Sequence, residues 1–246
     1  MKLKAITIDF WNTLFDSTGG AGRNELRYRA LLAEIEAAGP AVAPELFDEA
    51  VRASWGYFNN IWIGEQKTPS TSATIAYLWD YLKLPHSLEA IERVADVFSR
   101  SIIDHPPALL PGAGEALETL SSRYNLALIS DTGFSPGEVL TELLEKEGIL
   151  RFFSALSFSD ETGVSKPNPL AYSSALEKMA CSPAEALHIG DIEQTDIVGA
   201  KSLGMMAIKF TGDPNAFVEN PEKTKADFTA NTWEEVVEII NRLDKR

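Results

Sequence analysis

Cysteine is almost missing from this chain. Cys181 is the one thiol in 246 residues, so an internal disulfide is excluded. Its place just before Ser182–Pro183, a helix start, reads as a semi-buried structural thiol rather than a nucleophile. Histidine is scarce too: His86, His105 and His188 occur, and no pair has metal-ligand spacing. His188, inside the apolar stretch "ALHIGD", reads as a packed strand residue. Basic residues are the scarcer charge, 22 against 36 acids, for a net charge of −14. That argues against nucleic acid or an anionic membrane as the main partner, since both need a dense cationic face. An anionic small molecule is still allowed, provided that a metal, a lysine or backbone N–H groups supply local positive charge. No apolar run is long enough to cross a bilayer, and the first residues lead into a strand without the pattern of a secretory leader. A reducing, cytoplasmic setting is the default expectation.

What is present is a regular alternation. The apolar runs "AITIDF", "LALISD", "FSALSFSD" and "ALHIGD" each lead to an acid: Asp9, Asp131, Asp160 and Asp191. "MMAIKFTG" ends at a glycine, and "ADFTAN" is a weaker sixth run. Stretches with helical spacing lie between them: Gly114–Arg123, Pro136–Lys146, Asn168–Met179, Thr195–Leu203 and Trp233–Leu243. Strand alternating with helix predicts an α/β fold, a parallel sheet covered on both faces. Ligands of such sheets collect at the carboxyl ends of the strands. Asp9, Ser130, Asp160 and Asp191 all fall there. Residues 17–105 differ, with helical patterning and no convincing strand. "NELRYRALLAEIEAAG", with Asn24 as its cap, and three further segments predict a four-helix domain inserted after the first strand. The Pro- and Gly-rich "HPPALLPGAGEAL" is the return linker. The expected division is an α/β core of residues 1–16 and 106–246, with a helical cap of 17–105.

Four pieces, in order, carry a resemblance. They are "DFWNTL", "LALISDTG", "GVSKPNPLAY" and "ALHIGDIEQTDIVGAKSLGM". The chain resembles the haloacid dehalogenase-like (HAD) superfamily of hydrolases, and the four motifs span Ala5 to Met205. The resemblance implies a Rossmann-like core and a nucleophilic Asp9 that forms an acyl-phosphate. It also implies an Mg2+ ion on Asp9, Asp191 and the Trp11 carbonyl. Asp196 would bind the metal or orient a ligating water; alternatively it caps the helix near Thr195. Lys166 would supply positive charge against nucleophile and phosphate. Ser130, with the N–H groups of Asp131 and Thr132, would cradle a phosphate oxygen. Asn12 suits a turn with positive φ, and Thr13 would close that turn through its hydroxyl.

Trp11 breaks the pattern. Phosphatases of this kind place a second Asp there as general acid, and an indole cannot exchange protons usefully near neutral pH. A poor leaving group would then lose about 10²–10⁴-fold in rate; an acyl or aryl phosphate would lose less. Dehalogenases carry an aromatic at this place, so Trp11 alone favours 2-haloacid chemistry. The "GDIEQTD" motif votes against it, because Asp191 beside Asp9 is costly without a cation. Asp131, where many relatives have Asn, either turns away as an Asx-turn former or adds negative charge to the site. The leading expectation is an Mg2+-dependent phosphatase of a small phosphorylated metabolite, as a monomer or homodimer. A dehalogenase and a catalytically impaired binding protein are the alternatives. Of the aromatics at 55–81, most would pack the helical domain while one or two roof the site. Arg23, Arg27 and Arg52 would either reach an anionic tail or form surface salt bridges.

Overall fold

The computed structural model describes residues 3–39, 41–214 and 224–244. Its centre is a six-stranded sheet of β1 (Ala5–Ile8), β2 (Asn125–Ser130), β3 (Phe153–Phe158), β4 (Ala186–Gly190), β5 (Met206–Phe210) and β6 (Phe228–Ala230). The order is β3-β2-β1-β4-β5-β6, and every pairing is parallel. All four residues of β1 are buried, as a central strand covered on both faces requires. The order reverses between β1 and β4, which makes the carboxyl ends of those two strands the switch point where a crevice opens.

The helices in chain order are α1 (Gly20–Ala38), α2 (Pro44–Asn59), α3 (Thr71–Tyr81), α4 (Leu88–Asp104) and α5 (Ala113–Ser121), then α6 (Gly137–Lys146), α7 (Ser159–Thr162), α8 (Pro169–Lys178), α9 (Val198–Ser202) and α10 (Trp233–Leu243). Side chains alternate across a strand, so each strand feeds two cores. Ile6, Ile8, Leu126 and Leu128 pack on one side with α5, α6 and α10. Ala5, Ala127 and Ile129 pack on the other with α8 and α9, where small residues let Tyr172 sit close to the sheet. Three helix starts are capped by the side chains of Ser70, Ser87 and Thr232, and Asn168 caps α8 ahead of Pro169.

The helices α1–α4 surround a third core built on Leu31, Ile75, Trp79, Val94 and Phe98. Phe134, from the loop after β2, inserts into it and meets the rings of Trp55, Phe58 and Phe98. The two chain crossings between sheet and helices are laced together. Asp16 Oδ1 accepts from the N–H of Thr18 and of Ala108, and Asp16 N–H donates to the Ala108 carbonyl. The Arg23 guanidinium donates to the carbonyls of Thr18 and His105, one on each crossing. Helix α1 therefore begins a turn earlier than its Asn24 predicts. Gly19, at φ 75°, turns the chain in a left-handed step that a Cβ would obstruct against the carbonyl oxygens of His105 and Pro106. Thr13 also differs from expectation. Its hydroxyl is buried with no hydrogen-bond partner. Backbone bonds close the turn instead, from the N–H of Leu14 and Phe15 to the Phe10 carbonyl, and the indole of Trp233 donates to the Thr13 carbonyl.

Candidate active site

Strand β1 delivers Asp9 to the switch point, and its N–H donates to the Ile189 carbonyl of β4. The next turns carry Trp11 and Asn12; Asn12 sits at φ 55°, the conformation expected for it. The end of β4 delivers Asp191. A five-residue π-helical turn, Glu193–Ile197, then brings Asp196 back under the sheet end. Between Asp9 and Asp196 lies Lys166, almost fully buried. Its ammonium donates to Asp9 Oδ1 and, at 2.7 Å, to Asp196 Oδ1. Asp9, Asp191 and Asp196 each offer a carboxylate oxygen within 4.8 Å of the others, and among the described residues these could hold a metal ion.

Asp196 is not the cap of a helix starting at Thr195. Its Oδ2 accepts from the Ile192 N–H at 3.0 Å and the Thr195 hydroxyl, and its Oδ1 accepts from Lys166 and His188 Nε2. A carboxylate can only accept, so Nε2 of the ring carries the proton and Nδ1 accepts from the Thr7 hydroxyl at 2.8 Å. Burial holds His188 below its ordinary pKa, in the neutral form this chain of bonds needs. Gly190 leaves room for the arrangement: a Cβ there would run into the Asp196 carboxylate. The sequence reading of His188 as a packed strand residue describes its burial but missed this bond. The signal was the His–x–x–Asp order in "HIGD" followed by a second acid, which spacing alone does not resolve into a contact.

Burial dominates the electrostatics. It pushes Asp9 well above the usual carboxylate range, against the pull of Lys166. It pushes Asp191 up to about 7, with Asp196 adding to the rise and Lys166 opposing it. Burial would raise Asp196 as well, but Lys166 and His188 outweigh it and hold that acid low. Lys166 itself is raised despite burial, because Asp196, Asp9 and Asp131 surround it.

A cavity of about 250 Å³ opens over these groups. Asp9, Lys166, Asp191 and Asp196 form one part of its wall; Trp11, Phe58, Trp62 and Asp131 form another, with Asn12, Gly133, Ile192 and Thr195 between. Asp131 turns inward and is not an Asx-turn former. Its Oδ1 accepts from the Lys166 N–H at 3.0 Å and its Oδ2 from the Trp62 indole at 2.8 Å. Asn12 donates to Asp191 Oδ2 at 3.3 Å. Ser130 and Thr132 stand outside the lining. The Thr132 N–H is bonded to the Ser159 hydroxyl, and the Ser130 hydroxyl lies 3.5 Å from the Asp131 carbonyl. Asp160, the fourth strand-end acid, accepts from the Gly137 N–H at the start of α6. Arg23 and Arg27 do not line the cavity either. Arg23 serves the crossings, and Arg27 donates to the Phe98 carbonyl and the Ser101 hydroxyl.

The wall that overhangs the sheet comes from α2 and the π-helical turn Asn60–Gly64 that continues it. The chain after that turn is fastened to the loops of the sheet. The Gln66 carbonyl accepts from the Ser165 N–H at 2.7 Å, and the Thr68 hydroxyl bonds those of Ser159 and Ser165.

A parallel sheet that gathers acids and one lysine at its switch point, beneath inserted helices, defines an α/β enzyme with its chemistry at the carboxyl edge of the sheet. More narrowly, the chain belongs to the haloacid dehalogenase-like hydrolase family, whose model matches residues 3–204. It is 30% identical over 133 residues to a glyceraldehyde 3-phosphate phosphatase of Pyrococcus furiosus, covering 51% of this chain and 55% of that one. A phosphoglycolate phosphatase of Vibrio parahaemolyticus is 30% identical over 138 residues, 54% of this chain and 56% of its own. The chain thus spans about half the length of the curated relatives it matches. Among solved structures, a 2-haloacid dehalogenase from Pseudomonas syringae superposes with a TM-score of 0.73 at 21% identity, over 98% of this chain and 99% of that one; it shares the fold. Among the described residues no helix is long and apolar enough to cross a membrane.

Proposed function

We propose that the protein is a phosphatase of small phosphorylated metabolites, with Asp9 as nucleophile, Mg2+ as cofactor and residues 17–105 as the cap over the site. The observation that carries this reading is the meeting of Asp9, Asp191 and Asp196 around one lysine, in a buried place where their charge needs a cation. The donor set fits a hard divalent ion: carboxylate oxygens, with Asp191 pushed up to about 7 by burial and by Asp196. Asp9 and Asp191 would hold Mg2+ together with the Trp11 carbonyl. Asp196, whose oxygens already accept four bonds, is the better candidate to anchor Lys166 than to ligate the metal directly. A bound Mg2+ would supply charge against the repulsion between carboxylate and phosphate dianion. Asp9 attacks phosphorus and takes the phosphoryl group as an acyl-phosphate; Lys166 steadies both charges; water then releases inorganic phosphate and restores the carboxylate. The names of the curated relatives, both phosphatases, support the same class of reaction.

Halide displacement is the second reading, and Trp11 is what favours it. Against it stands a cavity wall with four acids and one lysine, a poor place for the carboxylate of a 2-haloacid. A calorimetric Mg2+ titration and a panel of phosphate esters test the proposal. Expected are metal binding and metal-dependent phosphate release, with Asp9→Asn lowering turnover at least ~100-fold, as loss of a nucleophile requires. Unchanged turnover in Asp9→Asn, or chloride release from 2-chloropropionate in chelator with no phosphate released from any ester, would sink it.

A further inference from the structure

We propose that the group leaving with the substrate oxygen is a single aromatic ring without negative charge, so that the natural substrate is an aryl phosphate. This rests on the phosphatase reading above and narrows it. Three observations meet here. First, much of the cavity wall is aromatic. Trp11, Phe58 and Trp62 come from the turn after β1, from α2 and from the π-helical turn beyond it. Each ring is fixed. Phe10 meets Trp11 edge-on at 5.0 Å between centroids, and the Arg23 guanidinium lies 5.5 Å over its ring. Trp62 is tethered through its N–H to Asp131, and Phe58 packs against Phe134. Rings held from behind offer π-faces and edges to a flat ligand at little entropic cost.

Second, the charge on that wall repels anionic tails. Lys166 is the cation among the lining residues, and it is committed to Asp9 and Asp196. Asp131 presents a carboxylate whose two oxygens are fixed by the Lys166 N–H and the Trp62 indole. Neither nearby arginine lines the cavity: Arg23, against the Trp11 ring, donates to the carbonyls of Thr18 and His105, and Arg27 to the Phe98 carbonyl and the Ser101 hydroxyl. A carboxylate-bearing substrate of the phosphoglycolate kind would set like charges together. The volume of about 250 Å³ lies just below the ~300–1,000 Å³ of sites for drug-sized ligands, which suits one ring rather than a nucleotide.

Third, Trp11 has no exchangeable acid to give. Without a proton from Trp11, the proposed step releases the ester oxygen as an anion. Phenolate, with a conjugate acid near ~10, departs far more readily than an alkoxide, whose conjugate acid is near the ~15.7 of water. The step balances without a proton donor. A carboxylate oxygen of Asp9 forms the new P–O bond, the aryl O–P bond breaks, and phenolate leaves with the electron pair. Water then attacks the acyl-phosphate, giving the free Asp9 carboxylate, hydrogen phosphate and a proton, which phenolate takes up in solvent.

The test uses the full chain with Mg2+. Its substrates are ring-substituted phenyl phosphates of graded phenol acidity, glyceraldehyde 3-phosphate, phosphoglycolate and acetyl phosphate. Expected is kcat/KM at least ~100-fold higher for phenyl phosphates than for either alkyl ester, the factor that an absent general acid removes. Rates should rise steeply as the phenol becomes more acidic. Trp11→Asp should flatten that dependence by rescuing the alkyl esters, and Trp62→Ala should raise KM for the aryl series more than for acetyl phosphate. Alkyl esters turned over as fast as aryl ones, or a flat dependence in the wild type, overturns the inference and leaves the phosphatase reading standing. No phosphate release from any compound, acetyl phosphate included, overturns both.

Discussion

Lys166 shows how much one side chain can decide. It is buried, yet its ammonium stays charged because Asp9 and Asp196 touch it and Asp131 is nearby. Removing one member of a buried ion group costs about 3–5 kcal/mol, mostly because the remaining charge is left unpaired. Lys166→Met should therefore unfold at a clearly lower temperature at pH 7.5, measured by calorimetry in chelator. At pH 5 the loss should shrink, since Asp9, already raised by burial, can take up a proton in place of the missing partner. A deficit as large at pH 5 as at pH 7.5 would argue that the lysine serves packing rather than charge. Residue by residue, Asp9 and Asp191 were legible because each follows an apolar run, and Asp196 only through the motif "GDIEQTD". The inward turn of Asp131 was not, because it depends on Trp62, which is 69 positions away in sequence.

At the scale of elements the sequence pattern was a good guide wherever periodicity was strong. Five of the six strands lie inside the runs that predicted them, β2 starts one residue ahead of its run at Asn125, and α10 has the expected limits, Trp233–Leu243. The pattern failed between Glu193 and Ser202. Thr195–Leu203 predicted one helix, and the chain forms a π-helical turn followed by the short α9. The cause is tertiary. Tyr172 of α8 donates to the carbonyls of Thr195 and Asp196, holding the wider turn that aims Asp196 at Lys166. Gly199 makes the close approach possible, since a Cβ there would meet the Tyr172 ring carbons at 2.8 Å. Gly199→Ala should cost about 1–3 kcal/mol by overpacking and should lower turnover by displacing Asp196. Gly114→Ala in α5, where nothing lies within 4 Å of the added methyl, is the control and should be neutral or slightly stabilising. Equal melting temperatures for the two variants would show that α8 and α9 do not set the turn.

For the whole molecule, the buried acids tie stability to pH and, on the proposed function, to metal. Asp191 titrates at about 7 in the fold against an ordinary value of 3.8, and Asn12, Asp196, Lys166 and Asp9 are the polar and charged groups about it. Between those two values the folded chain holds more protons than the unfolded one. Its stability contribution is thus fully present below 3.8 and is lost as pH rises through about 7. A divalent cation needs the deprotonated acid, so protons and metal compete, and binding to the folded state alone stabilises by mass action. Millimolar Mg2+ should therefore raise the melting temperature more at pH 8 than at pH 6, where the proton already neutralises Asp191. Asp191→Asn should erase most of the metal-induced shift and remove the decline of the metal-free chain between pH 6 and 8. The measurement is a set of thermal melts with Mg2+ and with chelator at each pH. A shift of the same size at both pH values, or one that survives Asp191→Asn, would mean that the ion binds elsewhere and that the acids at the switch point are neutralised by Lys166 alone.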